Sequence, residues 1–445
     1  MRNAMLVTVL ILLSAYPVQS QNQSGPDRLP ALDREIVITD WWIVGPMQSG
    51  SREPLANPMG TAIDPDTGAV DLSKKYMSLQ AYGGKVGWTK TTADENGTIN
   101  FKFDDPDWDK IVDEWGAAGA YFTCAAYAVF EVSNACRALA NAQGIGSFSI
   151  NGRLYSGDPY GHGVLKTPVL LDEGENRIFF FSGGYGGEDS ATFKLESPPT
   201  ESLMIFEKDC MLPDIVRGKS LKSPSGLTIL NTTNEWIRDI TLTTGGDDNF
   251  ALCSNKIDLL APLSVIKIPV DIELKNPIDE SWEDPTINIP VSVGRGDIDE
   301  KISVELSARV RNPGDSIIKT FISRNDNSCQ KYAVRYPVNY DPSKEYGLVL
   351  ALHGAGVECE GMADAFESED WAFIVNPTNR RRFGFDWQDW GRLDAIEILD
   401  LCTETYPIDP NRVCLIGHSM GGHGTWHIGC THADRFACIV PSAGW

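Results

Sequence analysis

A serine between glycines near the end of the chain is the first feature whose residue types could do chemistry. Gly417-His418-Ser419-Met420-Gly421 fits the pattern G-x-S-x-G, and the apolar run VCLI comes directly before it. The pattern is typical of a tight strand-to-helix turn that exposes the serine hydroxyl at the helix N-terminus. There the helix dipole and free backbone N–H groups favour developing negative charge. We therefore predict that Ser419 is a nucleophile, with Gly417, His418 and Gly421 forming the elbow around it.

A second glycine-rich stretch, His353-Gly354-Ala355-Gly356, follows the continuous apolar run YGLVLAL. Acyl transfer needs two N–H donors that face the carbonyl oxygen as it becomes negative, and loss of one donor costs roughly 3 kcal/mol of barrier. We assign these donors to the backbone amides of Met420 and of Ala355 or Gly354. The alternative is a glycine turn that serves geometry alone. The two motifs in this order favour the oxyanion hole.

The elements that must position these residues begin at about residue 316. YGLVLAL and WAFIVNP are typical of buried strands, VCLIG is a strand before the serine, and FACIVPSAG is a last strand that looks apolar on both sides. Between them, Leu393, Ile396, Leu399 and Cys402 are about three residues apart, which predicts a helix with these residues on its apolar face. Alternating strands and helices predict a mainly parallel sheet.

The stretches LHGAGVE, PTNRRRFGFDWQDWGRLDA, DPNRVCLIGHSMGGHGTW and DRFACIVPSAGW carry a resemblance to a known group. From about Gln330 to Trp445 the sequence resembles secreted α/β-hydrolases of the prolyl-oligopeptidase and feruloyl-esterase type. The resemblance implies hydrolysis of an ester or peptide bond through an acyl-enzyme on Ser419, and it does not decide between the two bonds. It also implies β-sandwich modules before the hydrolase domain, as are common in that group.

The acid and the histidine of a catalytic triad are not evident. In this fold they follow the serine on loops after later strands, yet His423 and His427 lie on the helix that begins at the serine, and His432 follows it. We expect a hydrolase domain whose C-terminal part is absent and whose triad is incomplete. One explanation is a truncated product or partial gene model of a serine hydrolase, which an unpaired apolar edge strand favours. The other is a shortened protein that binds without catalysing.

Three basic residues, Arg380-Arg381-Arg382, stand in the same region. They could hold an acidic group of a substrate, since arginine pairs well with carboxylates. Asp386, Asp389 and Asp394 are close in sequence, and they favour a structural network of ion pairs instead.

Two β-rich segments precede the hydrolase segment. In residues 33–198, Asn151-Gly152 between two short runs predicts a tight hairpin, and the segment resembles jelly-roll, galactose-binding-like β-sandwiches. Its aromatic residues could stack on sugar rings, but filling of the core is the favoured interpretation. Residues 199–315 alternate apolar and polar residues, which predicts an antiparallel, immunoglobulin-like β-sandwich that acts as a spacer. One strand of it places these apolar residues on a single buried face: Ile266, Ile268, Val270, Ile272 and Leu274.

The net charge and the N-terminal residues limit which partners and which cellular location are expected. With 38 Lys and Arg against 61 Asp and Glu, the net charge is −23, which argues against nucleic acid or an anionic membrane as a partner. Residues 1–20 are typical of a signal peptide, with Arg2 before a short apolar run, so we expect a secreted or periplasmic protein without membrane contact after cleavage. A retained anchor is the alternative. Export would allow disulfides, and Cys124 and Cys136 are close enough in sequence to be partners.

The sequence therefore predicts a multidomain protein: a signal peptide (1–20), two β-sandwich domains (33–198 and 199–315) and an incomplete α/β-hydrolase domain (316–445). Its predicted function is that of a serine hydrolase acting on an ester or peptide substrate, including one linked to polysaccharide. Such chemistry uses side chains and backbone donors, so no metal or organic cofactor is expected. The alternative function is an extracellular carbohydrate- or protein-binding protein that uses the hydrolase fold as a scaffold.

We expect the 445-residue chain to show little turnover of p-nitrophenyl acetate, because an oxyanion hole and binding alone give only residual catalysis. Steady-state hydrolysis by the purified chain and its Ser419→Ala variant measures this. Rapid hydrolysis that the substitution abolishes would contradict the expectation.

Overall fold

The structure is a computed structural model, and it describes residues 28–48, 62–103, 106–115, 121–185, 188–296 and 300–444. These residues are mostly β-strand with few helices, arranged as six sheets and four α-helices. None of those helices is long and apolar enough to cross a bilayer. The predicted signal peptide, residues 1–20, lies outside the described residues.

The N-terminal part forms two antiparallel sheets and a small two-stranded sheet. Their strand orders are β1-β13-β8-β11 with β6 beside β13, β10-β9-β12-β7-β2-β5, and β3-β4. The elements are β1 (Ile36–Val37), β2 (Asp40–Gln48), β3 (Tyr76–Met77), β4 (Lys85–Val86), β5 (Thr89–Thr92), β6 (Thr98–Lys102), α1 (Trp108–Trp115), β7 (Tyr121–Val132), β8 (Cys136–Gln143), β9 (Ser147–Ile150), β10 (Arg153–Ser156), β11 (Thr167–Leu171), β12 (Gly174–Tyr185) and β13 (Glu188–Glu196).

Apolar side chains of the two larger sheets meet in one buried cluster. Trp41 of one sheet and Phe193 of the other pack edge to face, with ring centroids 6.2 Å apart. The hairpin predicted at Asn151-Gly152 is confirmed. It joins β9 to β10, and both of its residues have positive φ, 50° and 80°, as the tight hairpin turn requires.

The middle part forms a three-stranded sheet, β14-β16-β19, and a five-stranded sheet, β15-β21-β20-β17-β18. All pairings are antiparallel except that of β15 with β21, which is parallel. The strands are β14 (Leu203–Ile205), β15 (Ile215–Val216), β16 (Lys222–Asn231), β17 (Ile237–Thr244), β18 (Cys253–Leu260), β19 (Ser264–Glu273), β20 (Thr286–Arg295) and β21 (Glu300–Arg311).

The alternating pattern of β19 is largely correct but fails at one residue. Ile268, Val270 and Ile272 are buried, whereas Ile266 is 39% exposed. Ile266 lies near the beginning of the strand, outside the cluster of buried side chains that the two sheets share. Burial on this face therefore begins two residues later than the pattern predicts.

The C-terminal part forms one six-stranded sheet in the order β22-β23-β25-β24-β26-β27. The first two strands are antiparallel to their neighbours, and the last four are mutually parallel. The elements are β22 (Ile317–Ile322), β23 (Cys329–Arg335), β24 (Tyr346–Leu352), α2 (Cys359–Asp364), β25 (Ala372–Pro377), α3 (Asp389–Thr405), β26 (Ile408–His418), α4 (Met420–Thr431) and β27 (Cys438–Ser442).

The predicted apolar face of α3 is partly wrong. Leu399 and Cys402 are buried, but Leu393 is 39% exposed, and Asp394 and Ile398 are buried instead. A spacing of three residues drifts around a helix that has 3.6 residues per turn, so the predicted stripe departs from the buried face at its first residue.

Two further expectations are corrected. β27 is not buried on both sides: Cys438 is exposed and Val440 is 54% exposed, because among the described strands it pairs with β26 alone, and α4 packs against it. The pair Cys124 and Cys136 is not bridged, since both are free thiols buried in the core of the N-terminal sheets.

Arg137 of β8 joins the N-terminal and middle parts. Its guanidinium is buried and donates to the carbonyl oxygens of Leu29, Thr232 and Glu201, at 3.2, 3.2 and 2.8 Å. It also donates to the Thr232 hydroxyl at 3.0 Å. A buried arginine that donates to carbonyls of both parts holds them in one arrangement, because its loss would remove several buried hydrogen bonds at once.

Arg137→Met is expected to lower the free energy of unfolding by about 3 kcal/mol, the usual cost of breaking a buried, charge-assisted network. Urea unfolding followed by tryptophan fluorescence measures it. The matched control is Arg153→Met, since Arg153 is half exposed and lies 3.7 Å from Asp172. Equal effects of the two substitutions would contradict a structural role for Arg137.

Candidate active site

Ser419 is the single residue between β26 and α4. Its φ of 56° and ψ of −117° place it in a region that residues other than glycine rarely adopt. The carbonyl oxygen of Ser419 accepts the first bond of the helix, from the His423 amide at 3.0 Å. The chain therefore passes from strand to helix within one residue, which is the sharp turn predicted from the sequence.

The elbow closes because two glycines bring backbones together. A Cβ on Gly417 would lie 2.2 Å from the carbonyl oxygen of Gly421, and a Cβ on Gly421 would lie 2.0 Å from the carbonyl oxygen of Leu352. Both distances are far shorter than a van der Waals contact, so only glycine fits at either position. His418, the variable position of the motif, is exposed and takes no part in this packing.

The parallel strands bring three loops to the serine. Leu352 is in register with Gly417, and His418 is in register with Ser442, so β24, β26 and β27 end at the same edge of the sheet. The Ser419 amide donates to the carbonyl oxygen of Ser442 at 2.9 Å. The sequence-predicted loop that follows β24 lies on the other side of the serine.

Gly354 is the point of closest approach of that loop. A Cβ on Gly354 would lie 3.8 Å from Ser419 Cβ and 3.5 Å from the carbonyl oxygen of His418. Ala355 follows and is exposed, and Gly356 has a φ of 71°. The structure thus brings Gly354 beside the serine, with Ala355 next along the rim.

On the opposite side of the serine, the amide of Met420 is the first of α4. The first four amides of a helix have no acceptor within it, and their dipoles add to a partial positive charge. The Met420 side chain is fully buried, which anchors this end of the helix. The first amide of α4 and the loop after β24 therefore both lie next to Ser419.

His353 and Trp387 contact each other and support the loop after β24. The Trp387 indole N–H donates to the carbonyl oxygen of His353 at 3.1 Å, and the two rings meet edge to face at 5.0 Å. Burial lowers the pKa of the His353 imidazole, which keeps it neutral near pH 7. A Cβ on Gly424 would lie 2.5 Å from Trp387 Cβ, so α4 packs directly on this tryptophan. Sequence reasoning did not find Trp387, and no local pattern marks it.

No histidine among the described residues hydrogen bonds to Ser419 Oγ. His423 Nε2 instead lies 3.0 Å from Gln388 Nε2 and 3.5 Å from Asp386 Oδ1. His427, next on the same helix face, has its ring 6.5 Å from that of His423. Sequence reasoning placed both histidines on this helix, but it missed their acidic neighbour, because Asp386 comes from the loop between β25 and α3.

The remaining histidines lie apart from the elbow. His432 ends α4, and its Nδ1 is 3.0 Å from the Thr431 hydroxyl. His162, which the sequence places in another domain, stacks on Phe383 with ring centroids 3.9 Å apart. Phe383 lies in the loop between β25 and α3, at the same edge of the sheet as Ser419.

The arginine run forms structural ion pairs, as expected, but among the described residues only Asp394 of the three expected partners takes part. Arg380 pairs with Asp326 and with Glu397 at 3.3 Å, and it lies 3.9 Å from Asp394. Burial raises the pKa of the Asp394 carboxyl to about 7. Asp386 and Asp389, the other two expected partners, are not paired with Arg380 in the described structure.

Arg382 reaches the loop after β24. Its Nε donates to Glu358 Oε1 at 2.6 Å, and its Nη1 donates to the carbonyl oxygen of Lys208. Glu358 also lies 3.4 Å from the buried ammonium of Lys331. The residues just after the predicted oxyanion loop are thereby tied both to β23 and to the loop between β25 and α3.

The described residues contain no group of three or more side chains suited to hold a metal ion. A cavity of about 880 Å³ lies elsewhere, between the middle part and β22, with Val216, Lys319 and Tyr336 in its wall. Neither Ser419 nor the loop after β24 lines it. The site is therefore an open edge of the sheet at which Ser419, the N-terminus of α4 and the loop after β24 meet.

Comparison with known proteins agrees with this geometry. Residues 377–445 match the sequence profile of the prolyl oligopeptidase family, and the match includes Ser419 and the whole of α4.

Two curated relatives match the chain more distantly. An "uncharacterized secreted protein" of Arthroderma benhamiae is 21% identical over 491 residues, which cover 98% of this chain and 50% of that protein. Dipeptidyl-peptidase 5 of Porphyromonas endodontalis is 29% identical over 135 residues, which cover 25% of this chain and 18% of that protein. The chain thus spans half the length of the first relative, and it matches less than a fifth of the length of the second.

Among solved structures, a ferulic acid esterase of the anaerobic fungus Anaeromyces mucronatus aligns with 28% of this chain and 56% of its own, at 21% identity and a TM-score of 0.24. The family match is specific to the segment that contains the serine elbow. Residues 377–445 of this chain therefore resemble the prolyl oligopeptidase family.

Proposed function

We propose that the chain is part of a secreted serine hydrolase that cleaves an ester or peptide bond through an acyl-enzyme on Ser419. The observation that carries the proposal is the elbow itself. Ser419 has a strained φ of 56° between β26 and α4, and a Cβ on Gly354 would lie 3.8 Å from its Cβ. Strained backbone of this kind is retained at sites where geometry serves function.

In the proposed reaction, Ser419 Oγ attacks the carbonyl carbon of the substrate while its proton passes to a base. The carbonyl oxygen becomes negative and accepts hydrogen bonds from the amide of Met420 and from that of Ala355 or Gly354. The bond to the leaving alcohol or amine then breaks, and water releases the acyl group by the same steps. Because both sets of donors are backbone groups held by packed elements, they need no rearrangement as charge develops.

The proposed domains are a signal peptide (1–20), a jelly-roll-like β-sandwich (33–198), an immunoglobulin-like β-sandwich (199–315) and an α/β-hydrolase segment (316–445). Three separate clusters of buried apolar residues, spanning 32–195, 203–310 and 317–428, support this division. Each of these three clusters draws its buried residues from one proposed domain, and a smaller cluster of Leu139, Phe206 and Leu230 joins the first two domains.

Substrate and location follow from the relatives and the motif. An ester or peptide, free or linked to polysaccharide, is the substrate that serine acyl transfer allows. A relative named as a secreted protein supports an extracellular or periplasmic location, as does the sequence of residues 1–20. The net charge of −23 disfavours nucleic acid and anionic membrane surfaces as partners.

A biotinylated fluorophosphonate tests the role of Ser419. With the purified chain and excess probe, we expect slow modification of Ser419. Its rate should be about 10-fold higher than at any other serine, because the two sets of amides stabilise the charge of the adduct. Peptide mapping by mass spectrometry locates and quantifies the adducts.

Two variants complete this test. Ser419→Ala should lose the label. Ser442→Ala should keep it, because the exposed Ser442 contacts Ser419 only through its backbone carbonyl. Equal labelling of the parent chain and the Ser419→Ala variant would contradict the proposal and favour a protein that binds without catalysing.

A further inference from the structure

The loop between β10 and β11 reaches the hydrolase segment from the N-terminal part. Asp158 fixes its course: the side chain is buried, its Oδ2 accepts the Val164 amide at 3.1 Å, and its own amide donates to the Ala142 carbonyl at 2.8 Å. At the preceding residue, a Cβ on Gly157 would lie 2.2 Å from the carbonyl oxygen of Ile145. The loop is therefore held firmly on the end of β8, and its outer residues project from a rigid base.

Tyr160 of this loop lies against the predicted oxyanion loop. A Cβ on Gly356 would be 3.8 Å from both Cδ1 and Cε1 of the tyrosine ring. Gly354, beside Ser419, is only two residues earlier, and two Cα–Cα steps span at most about 7.6 Å. The Tyr160 ring therefore contacts the far end of the short loop that begins beside Ser419.

His162 and Phe383 extend the same surface. Their rings stack at 3.9 Å with an angle of 28° between planes, and Tyr160 is 6.1 Å from His162 and 6.2 Å from Phe383. The guanidinium of Arg382 lies 5.7 Å from the Phe383 ring centroid. Arg382 is itself tied to Glu358, so the aromatic cluster and the oxyanion loop share one support.

The cluster is only partly covered. His162 is exposed, and Tyr160 and Phe383 are half-buried. An exposed aromatic ring such as that of His162, close to the candidate site, is able to contact a bound molecule.

We propose that Tyr160 and His162, although they belong to the N-terminal β-rich part, form one wall of the acyl-transfer site and select flat, largely apolar substituents. This inference rests on the proposed role of Ser419. A carbonyl compound that meets Ser419 and the amide of Ala355 has one substituent directed along residues 354–356, towards the two rings. The N-terminal part then determines specificity as well as spacing.

Two sulfonyl fluorides that differ in one group provide the test. Methanesulfonyl fluoride is small, and phenylmethanesulfonyl fluoride carries a flat benzyl group. In both reactions the Ser419 Oγ–S bond forms and fluoride leaves, with the serine proton passing to solvent or a base. The measured quantity is the ratio of the two rate constants for modification of Ser419, followed by mass spectrometry of the purified chain.

Tyr160→Ala and His162→Ala are each expected to lower the benzyl-to-methyl ratio by about fivefold, the effect of one lost aromatic contact, with the methyl rate changed less than about twofold. Tyr160→Phe retains the ring and should keep the parent ratio. The matched control is His432→Ala, since His432 lies beyond the far end of α4 and should leave the ratio unchanged. Thermal unfolding of each variant verifies that it is folded.

The outcomes separate the two proposals. Suppose that Ser419 is labelled in the parent chain but the benzyl-to-methyl ratio is unchanged or raised in both alanine variants. That result would overturn the proposed wall and leave the role of Ser419 intact. Equal loss of both rates would also overturn it, since that result indicates a purely structural contact. Failure of either reagent to modify Ser419 in the parent chain would contradict the proposed function itself.

Discussion

The close approach of α4 to the carboxyl end of β24 is the constraint on which the site depends. A helix can begin one residue after a strand only if its first turn has room against the sheet. Here a Cβ on Gly421 would lie 2.0 Å from the Leu352 carbonyl oxygen, and one on Gly422 would lie 2.3 Å from that of Ser442. The two glycines place the helix directly on both neighbouring strands. Ser419 must then take up the whole change of direction, with a conformational cost of about 1–3 kcal/mol.

Packing below the elbow offsets this cost. α4 rests on the fully buried Trp387, whose indole also satisfies the carbonyl of His353. A second support comes from Glu358, which pairs with Arg382 and with the buried Lys331. The serine elbow and the loop after β24 are thus fixed by different residues, yet both supports pass through the loop between β25 and α3. Any change in that loop acts on both sides of the candidate oxyanion hole.

Local signals in the sequence account for the elbow and the sheet around it. The glycines at 417 and 421 and the apolar runs of β24 to β27 are short-range patterns, and the strand and helix positions follow from them. The pattern for the face of α3 failed at Leu393, because a three-residue spacing is only an approximation to the helical repeat. It failed for β27 because the apolar composition of a strand does not reveal whether a neighbour covers it.

The contacts that complete the site were not predictable in this way. Trp387 under the elbow, Asp386 beside His423, and His162 on Phe383 all join residues that are far apart in the sequence. The last pair is separated by more than 200 residues and by the whole middle part of the chain. Composition and periodicity describe one element at a time. A surface formed by loops of two different sheets therefore has no signature in the sequence of either loop.

The most direct measurement is a crystal structure of the chain after reaction with a fluorophosphonate. A phosphonyl group bonded to Ser419 Oγ, with its oxygen 2.7 to 3.1 Å from the amide nitrogens of Met420 and of Ala355 or Gly354, is the result that this account predicts. An adduct oxygen that points to solvent, with neither amide within hydrogen-bonding distance, would contradict it.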